Sequence, residues 1–70
     1  MKTIGDVIHE LRTQKGLSPF DLSIKSLVPE ANIRNWEAGR RTPSDVLALT
    51  RVARALGTTV DKLAKRVERR

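Results

Sequence analysis

Seventy residues with no cysteine, a single histidine (His9) and a formal net charge of +6 admit one small domain, residues 1–70, that buries only about 60% of its unfolded surface. Neither a disulfide framework nor the usual clustered zinc ligands can staple such a chain, so helix packing must supply its stability and no metal is expected. Fourteen Lys and Arg against eight Asp and Glu make a polyanion the first partner to consider, although a solvated basic surface gives the same charge. The longest apolar run, Val46–Leu49, falls far short of the roughly 20 residues of a membrane helix. Lys2 leads into a patterned, mixed-charge segment instead of a secretory leader. A soluble, cytoplasmic protein without a membrane partner is the expectation.

Ile4, Val7, Ile8 and Leu11 recur at i, i+3, i+4 and i+7 and mark one face of a first helix. Thr3 caps its start with Asp6 three residues on, and Gly16 ends it. His9 falls on the polar side, where no orienting partner is foreseen and a solvated side chain is expected. Ser18, Pro19 and Asp21 announce a second helix from about Pro19 to Ser26. Its inward set, Leu22, Ser23 and Ser26 with Leu27 just beyond, is small and polar enough to permit close helix contact.

Val28 before Pro29 forces a turn. Pro29 then opens a third helix with Ile33 and Trp36 inward and Glu30, Ala31, Arg34 and Asn35 outward, stopped by Gly39. The register of Trp36 with Ile33 assigns it to core packing over a base-stacking role. Arg40, Arg41, Thr42 and Pro43 form a basic loop. Either Thr42 or Ser44 caps a fourth helix whose inner face is Val46, Leu49, Val52, Ala53 and Leu56. After Gly57, Thr58 or Thr59 starts a basic C-terminal helix over about 59–69, with Val60, Leu63, Ala64 and Val67 on one side.

Two short helices with a brief connection, the second carrying an outward polar face, are the ingredients of a helix-turn-helix over about 18–38. Here Leu11-Arg12, Lys15-Gly16-Leu17-Ser18, Leu22, Val28, Ile33, Trp36-Glu37, Gly39, Pro43-Ser44, Ala55-Leu56-Gly57 and Leu63 follow in an order and spacing that resembles the Cro/repressor-type (XRE-type) helix-turn-helix family across nearly the whole chain. The resemblance implies an all-α, compact five-helix bundle of the lambda-repressor-like kind that binds double-stranded operator DNA as a homodimer and regulates transcription as a repressor. It also implies an internal ion pair between Arg12 and Glu37, and base contacts from the positions held by Glu30, Ala31 and Asn35, with Asn32 and Arg34 close by. Phosphate contacts fall to Arg40 and Arg41, and to Lys25.

The chain departs from the family pattern along the same edge. Pro19 stands where a glutamine contacts phosphate, Leu27 where a glycine makes the turn, and Pro29 where a serine or threonine starts the third helix. Leu27 must therefore find another turn conformation or extend helix two. Glu30 either accepts a hydrogen bond from cytosine N4 or serves as a favourable charge at the start of its own helix. An enzyme is not expected: the glycines form no phosphate cradle, there is no cysteine nucleophile, and no cofactor is implied. The alternative is a protein-interaction module of the same fold that has lost specific DNA binding. The dimer would form through the fifth helix, with Leu63 on the contact surface, or through the loop before it.

Overall fold

The computed structural model describes residues 2–68 and gives five α-helices: α1 (Ile4–Gln14), α2 (Pro19–Ser26), α3 (Glu30–Glu37), α4 (Val46–Ala55) and α5 (Val60–Glu68). The chain is all-α, with no strand among the described residues; Arg69, included in the last helix by the sequence pattern, lies outside them. The radius of gyration of 10.6 Å matches the roughly 11 Å expected of a compact chain of this length. Among the described residues no helix is long and apolar enough to cross a membrane.

The helix starts follow local chemistry. The hydroxyl of Thr3 accepts from the Asp6 backbone N–H at 3.1 Å while the Asp6 carboxylate accepts from the Thr3 N–H at 3.0 Å. Ser18 and Asp21 form the same reciprocal pair at 3.0 Å each way, and each box satisfies donors that a helix end leaves orphaned. These backbone hydrogen bonds hold the Asp6 and Asp21 carboxyls below their ordinary value. For α4 the cap is Asp45, not Thr42 or Ser44: its carboxylate accepts from the Leu47 and Ala48 N–H groups at 3.0 and 3.3 Å. Thr59 caps α5 through Lys62. Pro29 precedes α3 rather than opening it, because its ψ of 137° is extended.

The core is continuous. Ile8, Leu22, Val28, Ile33, Trp36, Val52 and Leu56 form one cluster and Val7, Ala53 and Leu63 another, bridged by the half-buried Ile4, Leu11 and Leu49. Neighbouring residues of α1 thus face different partners, Val7 toward α5 and Ile8 toward α2 and α3. One assignment made from periodicity is corrected. Val46 is 72% exposed, because it begins α4 and overhangs the core while Ala48 and Leu49 take the inner side of that turn. Leu63 is fully buried against Val7 and Ala53, so the apolar side read for the fifth helix faces the domain's own core. A fifth helix at the end of a small bundle has its apolar stripe covered by the helices it follows.

Gly5 brings α1 and α3 into backbone contact. A methyl group added at its Cα would lie 1.8 Å from the Trp36 carbonyl oxygen, well inside any permitted separation, so only glycine allows this approach. Leu27 is the opposite case. It adopts a left-handed conformation, φ 60° and ψ 31°, that a branched side chain disfavours by about 1–2 kcal/mol. The turn is therefore made in the glycine-like conformation without glycine, and Leu27 turns outward instead of lying on the inner side. Ser26 supports it from within, its buried hydroxyl donating to the Leu22 carbonyl at 2.6 Å and accepting from the Val28 N–H at 3.3 Å.

Two substitutions separate these effects. Gly5→Ala should destabilise by about 3 kcal/mol or more through overpacking against rigid backbone, a melting temperature lower by roughly 10 °C or more. Leu27→Gly should stabilise by about 0.5–1 kcal/mol, because relief of the left-handed strain exceeds the added entropy of the unfolded glycine. Thermal unfolding followed by circular dichroism checks both.

Candidate nucleic-acid interface

α3 is an eight-residue helix with a divided surface. Ile33 and Trp36 are buried in the core, so the indole is unavailable for stacking; Ala31, Asn32 and Arg34 are exposed, and Glu30 and Asn35 half-buried. Unlike α1, α2 and α4, it has no side-chain hydrogen bond at its N-terminal cap. Only the Pro29 carbonyl takes part there, accepting from the Asn32 and Ile33 N–H groups at 3.0 and 3.4 Å. The N–H groups of its first residues thus remain directed away from the helix, where the helix dipole is positive.

The C-terminal end is secured by contrast. Gly39, at φ 77°, lets the chain fold back so that the Arg40 N–H donates to the Asn35 carbonyl at 3.0 Å and the Gly39 N–H to the Trp36 carbonyl at 3.2 Å. This paired closure satisfies carbonyls the helix cannot. It places Arg40 and Arg41, both exposed, directly after the outward face of α3. The Arg40 guanidinium also reaches the Asn35 side-chain oxygen at 3.4 Å. Lys25 is exposed near the end of α2.

Glu30 and Arg34 are paired with one another. The Arg34 Nε donates to Glu30 at 2.6 Å, and a second guanidinium nitrogen approaches the same oxygen. An exposed i,i+4 pair of this kind contributes only about 0.3–0.5 kcal/mol, yet it neutralises the one carboxylate on the outward face of α3. Either residue can meet a ligand once that weak pair opens.

Arg12 and Glu37 meet beneath this surface. Arg12 is only 8% exposed and grips the Glu37 carboxylate with two parallel bonds, Nε to Oε2 at 2.8 Å and a terminal nitrogen to Oε1 at 2.7 Å. Its other terminal nitrogen donates to the Leu17 carbonyl at 2.8 Å. Burial by itself would raise the Glu37 carboxyl, but hydrogen bonds from Arg12 and His9 and their charges hold it below its ordinary 4.5. The hydrogen bond to Glu37 raises the already high value of Arg12. A carboxylate so engaged does not project its charge toward an anionic ligand.

His9 is exposed on the polar side of α1 as expected, but it does not lack partners. Its Nδ1 lies 3.0 Å from Glu37 Oε1 and 2.9 Å from an Arg12 nitrogen, so it has orienting partners, Glu37 reaching it from α3. When Nδ1 carries a proton it donates to Glu37; when it does not, it accepts from Arg12. Helical periodicity could not reveal a partner 28 positions away. The Gly5 contact was equally unforeseen, although a glycine inside an amphipathic helix is itself a signal of close backbone approach.

Among the described residues no group of three or more His, Asp or Glu side chains is arranged to hold a metal ion. No known family model, curated protein or solved structure matches the chain.

Glu37→Gln should cost about 3 kcal/mol near neutral pH, because the largely buried Arg12 charge loses its ionic partner. The sign of the pH dependence follows from the depressed native carboxyl. Its contribution is fully present above the ordinary value of 4.5 and is lost as pH falls through the lower native value. Urea unfolding below about pH 5 should therefore show a shallower acid loss of stability in Glu37→Gln than in the parent, the remaining slope arising from Asp6 and Asp21.

Proposed function

We propose that the chain is a sequence-specific DNA-binding regulator of transcription, acting as a repressor, in which α2 and α3 form a helix-turn-helix and α3 enters the major groove. The observation that carries this reading is the character of α3: inward side anchored by Ile33 and Trp36, start uncapped, outward side polar, and end released directly into Arg40 and Arg41. Eight residues make a helix about 12 Å long, commensurate with a groove about 12 Å wide.

Each outward residue has a use in that groove. Asn35 and Asn32 can bond adenine at N6 and N7, Ala31 can meet a thymine methyl, and Glu30 can accept from cytosine N4 once Arg34 turns to a guanine or a phosphate. Lys25, Arg40 and Arg41 contact phosphates and supply most of the affinity, while α3 supplies the choice of site. Pro19 offers no N–H and Asp21 places a carboxylate in the first turn of α2, so the phosphate contacts shift toward the Arg40 side. Two copies bind a two-fold site, with recognition helices about 34 Å apart, a spacing near the longest molecular dimension of 31 Å. Their pairing uses a surface other than the apolar face of α5, which is spent on the core. No cofactor or metal is required.

Fluorescence anisotropy with the DNA upstream of the gene, compared with a scrambled duplex at two salt concentrations, tests this. The upstream fragment should bind more tightly and weaken steeply with salt. Asn35→Ala should cost about 1–3 kcal/mol on that fragment only. Arg40→Ala and Arg41→Ala should weaken both duplexes alike and each lower the salt slope by about 1. Absence of binding to either duplex at low salt would sink the proposal.

A further inference from the structure

We infer that the outer face of α2, with the groove between α2 and α4, is a docking site for an acidic amphipathic segment of a partner protein. Phe20 and Ile24 fall at i and i+4 on the side of α2 opposite the buried Leu22 and Ser26, and Leu27 follows at the left-handed end of the helix. They are 58, 61 and 75% exposed. Large apolar side chains scattered singly over a surface need no explanation, but three exposed within eight residues of one segment point to a contact. Beside it a groove of about 270 Å³ is lined by Lys25, Ser26, Leu27, Arg51, Arg54 and Ala55. Three of those six side chains are cationic and none is a carboxylate.

The combination selects the occupant. The groove lies below the roughly 300–1,000 Å³ of a small-molecule site, and suits an anchoring side chain or two from a peptide. A second copy docked on the same face would set Lys25, Arg51 and Arg54 against themselves, and like charges across an interface oppose association. DNA phosphates would satisfy the cations but gain nothing from Phe20, Ile24 and Leu27. A lipid surface is flat and broad, whereas this stripe is one short helix beside a recess. An amphipathic segment with apolar residues on one side and carboxylates around them satisfies both halves of the surface. The site leaves the outward residues of α3 uncovered and shares only Lys25 with the proposed DNA contacts, so it stands whether or not the chain binds DNA.

The test is a titration of the ¹⁵N-labelled full chain, followed by backbone amide shifts, with a short synthetic helical peptide carrying leucines on one face and glutamates elsewhere. Saturable shifts confined to Phe20–Leu27 and Arg51–Ala55 are expected. Ile24→Ser and Arg54→Ala, both at exposed positions, should each weaken binding about tenfold or more with an unchanged circular dichroism spectrum. Any of four results would overturn the inference: no shifts; equal binding of a peptide with alanines replacing the leucines; equal binding of one with lysines replacing the glutamates; or concentration-dependent shifts of the same residues without peptide, which would assign the face to a second copy. Vesicles containing phosphatidylglycerol are a further arm, and tighter binding to them than to the peptide would assign it to a membrane.

Discussion

The guanidinium of Arg12 holds three parts of the chain at once: its own helix α1, the connection to α2 through the Leu17 carbonyl, and the end of α3 through Glu37. A charge this buried is costly to desolvate and is tolerated only when paired and fully hydrogen-bonded. Here every buried side-chain nitrogen and oxygen among the described residues has a partner. The pair also corrects a local conflict, since a glutamate in the last turn of a helix opposes the helix dipole. Removing Arg12 would leave Glu37 in the wrong place on α3 and only slightly exposed. The position of α3 therefore depends on a contact whose other half, Arg12, is placed by α1.

Around that contact the two ends of α3 are unequal. The C-terminal end is fixed by Arg12, by the fold-back at Gly39 and by the backbone approach of Gly5 to Trp36. The N-terminal end has no side-chain cap and rests on the Pro29 carbonyl and the preset angle of the proline. Helix ends with few internal partners open at the lowest cost, so the first turn is the part of α3 most able to adjust to a ligand. In the proposed reading that turn meets the bases while the rigid end delivers Arg40 and Arg41 to the phosphates. The Glu30–Arg34 pair keeps the outward face close to neutral until a ligand separates it.

α2 serves two masters. Leu22 and Ser26 bind it to the core, while Phe20, Ile24 and Leu27 remain outside. Leu27 is the hinge of this division: its left-handed backbone makes the turn toward α3, and the same turn leaves its side chain exposed. A glycine would make that turn with less strain but would remove part of the apolar stripe. Leucine at this position accepts that strain and keeps an apolar side chain on the surface.

The sequence by itself determined the helices and most of their inner positions, because caps, glycine stops and spacing are local. Thr3 with Asp6 and Ser18 with Asp21 act within one turn, and Ile4, Val7, Ile8 and Leu11 repeat at helical intervals. The pairing of Arg12 with Glu37 was reachable only through the family resemblance, since composition and periodicity say nothing of residues 25 positions apart. Tertiary structure alone decided the rest. Val46 is exposed because Ala48 and Leu49 take the inner side of the first turn of α4, and Leu63 is buried because α5 returns to cover Val7 and Ala53. Likewise, His9 gains Glu37 because Gly5 lets α1 lie directly on α3. A hydrophobic stripe states which side of a helix avoids water, but which neighbour covers it is settled only when all five helices pack together.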